Sequence, residues 1–86
     1  MVYKVAVLDL YQQDKIGLYK KTYRLNAGTP EEAREIMVES IIRQALERDG
    51  LDVIEVGDVI IVYGVKNSVV ADVFFIMGVQ QAGNQF

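Results

Sequence analysis

Residues 59–79 read VIIVYGVKNSVVADVFFIMGV, and how this stretch folds decides the architecture. It is long enough to cross a bilayer as a helix. Lys66 and Asp72 fall near its middle with Asn67 and Ser68, however, and each charge would cost about 2.5–3.5 kcal/mol at the centre of a membrane helix. A hairpin accounts for the stretch better. Residues 59–65 and 69–79 are rich in β-branched and aromatic types, and Lys66-Asn67-Ser68 between them are residues that close turns. In the second run Val69, Ala71, Val73, Phe75, Met77 and Val79 alternate onto one face, expected to lie against a helix through Val73, Phe75 and Met77. Val70, Phe74 and Ile76 share the other face with Asp72. A strand apolar on both sides requires cover on both.

Upstream, Thr29-Pro30-Glu31-Glu32 is a helix start: a threonine N-cap, proline at the first helical position and a glutamate three residues beyond the cap. The pattern predicts a helix to about residue 49, with Gly50 supplying a left-handed C-terminal residue and Arg48 suiting the dipole. Ala33, Met37, Ile41 and Ala45 form one apolar row, and Val38, Ile42 and Leu46 an adjacent one. Glu32, Glu35, Glu39, Arg43 and Glu47 face water, with Glu39 and Arg43 paired at i,i+4. Two apolar rows span more of the circumference than one sheet usually covers, so part of the helix is available to a second partner.

Residues 2–11 read as a first strand, Gln12-Gln13-Asp14-Lys15 as a polar turn, and residues 16–26 as the returning strand. On that second strand Tyr19, Lys21, Tyr23 and Leu25 share one face, and Lys20, Thr22 and Arg24 the other. Between helix and final hairpin, residues 53–56 form a short extended piece and Gly57-Asp58 a turn. The expected order is therefore β-β-α-β-β: an α+β chain with a single helix packed on an antiparallel sheet of about four strands. Residues 1–79 make one domain, since 86 residues fit one core, and residues 80–86 lack periodicity and read as a flexible tail.

The Pro-Glu-Glu-Ala helix opening after a polar strand, in this element order, resembles the small archaeal ribosomal LX-type domain over the first half of the chain. The basic cluster that resemblance implies after the helix is replaced by Asp49-Gly50-Leu51-Asp52, and no family is assigned from it. The chain is similar in outline to small accessory proteins of archaeal viruses and plasmids as well, with no shared motif.

The residue inventory excludes several chemistries. Cysteine and histidine are both absent, which removes Ser-His-Asp and Cys-His catalysis, disulfides and the common zinc sites. Gly57 and Gly64 fit neither the Walker loop nor the dinucleotide fingerprint. Carboxylates Asp9, Asp58 and Asp72 lie in or beside apolar strands, where burial can make a general acid or a pair can bind magnesium, but carboxylates in turns and at sheet edges are commonly structural. No catalytic residue, metal ligand or cofactor is assigned. A net charge of −3 offers no long-range attraction to phosphate backbones or anionic membranes. The first five residues lack a basic region followed by an apolar one, which predicts a cytoplasmic protein without a signal peptide.

Two surfaces remain. Tyr19, Lys20, Lys21, Tyr23 and Arg24 interleave aromatics with cations, the arrangement with which strands hold single-stranded nucleic acid, although lysines also protect an edge strand from mispairing. The hydrophobic fraction of 51% and mean hydropathy of +0.16 are high for a chain this small. The reading is therefore a non-enzymatic binding or regulatory protein acting as a homodimer, with a further protein partner also in view. Its expected interface is the strand face of Val70, Phe74 and Ile76, with Val62 from the paired strand and Val38 and Ile42 from the helix. The rivals are a nucleic-acid-binding module on the Tyr19 to Arg24 strand and a small Mg/Mn carboxylate enzyme.

Overall fold

The computed structural model describes residues 1–12, 15–48 and 50–82, with the side chains of residues 11, 12, 15 and 16 left aside. Six elements follow in order: β1 (Val2–Gln12), β2 (Lys15–Asn26), α1 (Pro30–Leu46), β3 (Leu51–Val56), β4 (Val59–Gly64) and β5 (Val70–Gln81). The strands form one antiparallel sheet in the order β2-β1-β5-β4-β3. The class is the expected α+β, but with five strands and the order β-β-α-β-β-β. The short extended piece after the helix is the additional strand. Its hairpin to β4 closes over Gly57 and Asp58 with Gly57 at φ 59°, the left-handed geometry that glycine supplies at the first position of a two-residue loop.

Helix α1 starts as its residues dictate. Thr29 is extended, and its hydroxyl accepts a 3.1 Å hydrogen bond from the Glu32 backbone N–H, with Pro30 in the first turn. The helix ends at Leu46 with Glu47 as C-cap, short of the expected stop near residue 49, which lies outside the described residues. Gly50 does take the left-handed conformation, at φ 71°. The first apolar row, Ala33, Met37, Ile41 and Ala45, is buried; of the second, Val38 is buried, Ile42 half-buried and Leu46 exposed. The core joins Ala33, Met37, Val38 and Ile41 to Tyr3, Val5 and Val7 of β1, Ile60 of β4 and Ile76 of β5.

Between Asp72 and Ile76 the faces of β5 are the reverse of those expected, whereas Val79 packs on the core and Val70 lies on the open face as expected. Ile76 is 3% exposed and Phe74 packs on the core, whereas Phe75 is 41% and Met77 48% exposed. Both faces of this stretch are apolar, so alternation groups Val73 with Phe75 and Phe74 with Ile76 without saying which pair meets the helix, and register shifts at its two ends confine the reversal to it. Ala6 pairs with Gly78 and Val7 with Ile76, leaving Met77 as an extra residue; Val62 pairs with Asp72 and Tyr63 with Val70, leaving Ala71 extra. Each bulge moves the following residues to the other face. The helix is therefore met by Phe74 and Ile76, not by Val73, Phe75 and Met77. It also follows that Val62, Ile76 and Val38 are enclosed within one chain, with Phe74 and Ile42 packed against that core, so none of these five offers an open face. Val70 alone of the expected interface set is exposed.

The expected tail begins too early. Gln80 and Gln81 belong to β5, opposite Lys4 and Tyr3, and the Ala82 N–H donates to the Val2 carbonyl at 2.9 Å; residues 83–86 lie outside the described residues. No helix among the described residues is long and apolar enough to cross a membrane.

Candidate binding face

Register places every strand residue on one of two faces, and α1 covers only one. On the other, Leu8, Phe75, Val59 and Val56 stand side by side across β1, β5, β4 and β3. The next row holds Val73, Ile61 and Ile54, and the next Val70 and Tyr63 with Asp52 at the β3 edge. Ile54, Val56, Phe75, Met77 and Val70 are all exposed. Nine apolar positions, at about 4.8 Å between strands and 6.8 Å between rows, outline a patch on the order of 300 Å² in projection. Apolar patches of that size on soluble proteins are commonly interaction sites.

The patch grades into a basic strip. Lys4 lies opposite Arg24, Ala6 opposite Thr22 and Leu8 opposite Lys20, all on the uncovered face. Beside the patch the small residues Ala6, Thr22 and Gly78 leave a hollow of about 490 Å³, with Lys4 and Lys20 on its border. A Cβ added to Gly78 would meet nothing within 4 Å.

The opposite edge of the sheet is acidic. Asp52 is exposed, its carboxylate accepting from the Val53 N–H at 2.8 Å. At the β3–β4 turn, Arg34 from α1 donates to the Gly57 carbonyl at 2.8 Å and through Nε and Nη2 to Asp58 Oδ1 at 3.1 and 2.9 Å, with Glu55 at 3.7 Å. That clamp ties the helix to the turn and fixes where the turn projects.

The aromatic and basic residues of β2 separate. Tyr19, Lys21, Tyr23 and Leu25 lie on the helix side and Lys20 and Arg24 on the open side, as strand alternation predicts. Rings and most cations thus point away from each other. Tyr23 instead borders a cleft of about 240 Å³ between α1 and β2, floored by buried Val7, Met37 and Ile41 with Arg43 at its edge. The three aspartates are dispersed. Asp58 sits in the turn; Asp9 and Asp72 lie on neighbouring strands of the helix side, and no group of three potential metal ligands forms among the described residues.

These features define a two-layer α+β domain with one helix-covered and one open sheet face. No family model, curated protein or solved structure matches the chain.

Proposed function

We propose that this chain is a small non-enzymatic binding protein that works as a homodimer through the open face of its sheet. The observation behind the reading is the continuous apolar surface of Leu8, Phe75, Val59, Val56, Ile61 and Ile54, which one helix on the opposite side leaves bare. A symmetric pair removes such a patch from water with no further chain, because the patch meets itself. Light scattering at micromolar concentration tests this. The expected mass is twice 9.7 kDa, and Phe75→Asp should reduce it to 9.7 kDa or give an insoluble chain. A wild-type mass of 9.7 kDa would overturn the reading.

The nucleic-acid alternative draws on Lys4, Lys20 and Arg24, which gather on the open face. Their separation from Tyr19 and Tyr23 deprives it of the stacking platform that sequence-tolerant binders use. Cofactors and metals have no part in the proposal.

A further inference from the structure

We infer that the cleft between α1 and β2 is a binding site for a small apolar carboxylate, its tail lying on Val7, Met37, Ile41 and Phe74 and its head group meeting Arg43. The cleft is on the helix side of the sheet, so it stands apart from the open face and from the dimer reading above.

The cleft follows from the widths of the two layers. A helix with its side chains is about 10–12 Å across, whereas five strands about 4.8 Å apart span roughly 19 Å between the outer two. One edge of the sheet is therefore left without a helix over it. Arg34 decides which edge, because its bonds to Gly57 and Asp58 hold α1 toward the β3–β4 turn and away from β2. Burial agrees. Val53 of β3 packs against the core and Val5 of β1 is enclosed, while Tyr23, opposite Val5 on β2, is exposed.

What remains between helix and β2 is a space of about 240 Å³. Its floor is buried Val7, Met37 and Ile41 with half-buried Phe74, which offer water no hydrogen bonds from their side chains, so an apolar body displaces it favourably. At about 30 Å³ for a water-sized group, the space holds roughly eight such groups, the size of an eight-carbon chain. The more exposed residues of the lining, Tyr23, Ser40 and Gln44, add hydroxyl and amide groups. An apolar floor with a few polar groups around it is the usual make-up of a small-molecule site.

Charge selects the head group. Among the described residues Arg43 is the only charged one in the lining, and it forms no ion pair with any of them, although Glu39 and Glu47 lie four residues to either side. Lys21, opposite Val7 on the same side of β2, adds a cation just beyond the lining. Asp9, one row past Val7 on β1, is buried and outside the lining. A guanidinium beside an apolar floor favours a carboxylate, which it can hold through two parallel N–H donors, over a neutral or cationic head.

Octanoate tests the site, with octylamine and 1-octanol carrying the same chain on a cation and on a neutral group. Followed by amide chemical shifts, octanoate should saturate with a dissociation constant of about a millimolar or tighter, and the shifts should centre on Val7, Tyr23, Met37 and Ile41. Octylamine should bind at least about tenfold more weakly. The net charge of −3 favours the amine, so a preference for octanoate reports Arg43 locally. Arg43→Gln should weaken octanoate about tenfold, to the level of octanol, and leave the thermal melting of the fold unchanged because the side chain is exposed and unpaired. Shifts centred on Phe75, Ile61 and Ile54 would put the ligand on the open face and overturn the site. Equal affinity for octanoate and octylamine, unchanged octanoate affinity in Arg43→Gln, or no saturation up to about 10 mM would overturn it as well.

Discussion

Phe75 and Ile76 are neighbours in sequence with opposite roles, and their contrast is the sharpest test of how β5 lies. Ile76 is enclosed by the helix and β1, so Ile76→Ala should cost about 2–5 kcal/mol in urea titration. Phe75 is 41% exposed, and Phe75→Ala at concentrations low enough to keep the chain monomeric should cost under about 1 kcal/mol. A reversed order of losses would put the helix on the other face. Gly57 tests a different constraint. Its φ of 59° is unfavourable for any residue with a Cβ, and a Cβ there meets no atom within 4 Å, so Gly57→Ala isolates backbone strain at about 1–2 kcal/mol by the same titration. The glycine was legible as a turn residue; the burial of Ile76 was not, because β-branched and aromatic residues occupy both faces of that strand.

Helix α1 and strand β3 differ in how plainly their residues announce them. Thr29, Pro30 and Glu32 mark the helix start by satisfying donors that a helix end leaves free, and Thr29→Ala should lower stability by about 1 kcal/mol in thermal or urea unfolding. Strand β3 has six residues, and it is a strand because β4 pairs with it through a tight turn. Arg34 reinforces that hairpin from the helix. The bonds are exposed, so Arg34→Met should cost no more than about 1 kcal/mol, measured as a urea midpoint shift. The edges themselves are managed by charge: β2 carries Lys20, Lys21 and Arg24, which discourage mispairing, and β3 is short and acidic.

At the scale of the molecule, one 17-residue helix meets a five-stranded sheet and covers one side of it. If dimerisation covers the other, stability depends on concentration, and the melting temperature should rise as the chain is taken from low to high micromolar. A constant melting temperature across that range would accompany a monomer. Oligonucleotide binding should be absent or weak at low salt, given that Lys20 and Arg24 lie on the face of β2 opposite its rings and only Lys21 shares theirs; tight, salt-dependent binding lost in Tyr23→Ala would instead favour the nucleic-acid alternative.

The chain's own residues determined the α+β class, the start of the helix, the final hairpin in place of a membrane span, and the division of β2 into two faces, because capping, turn chemistry and period-two alternation are local. They also determined that one helix could not cover all the apolar surface, which is a matter of composition. Tertiary structure alone decided that β3 joins the sheet, that β1 sits beside β5, and that Ile76 turns inward while Phe75 turns out. Where both faces of a strand are apolar, alternation cannot say which one the helix takes; that choice belongs to the pairing of strands far apart in the chain, and the bulges at Ala71 and Met77 set only the residues beyond them on a different parity.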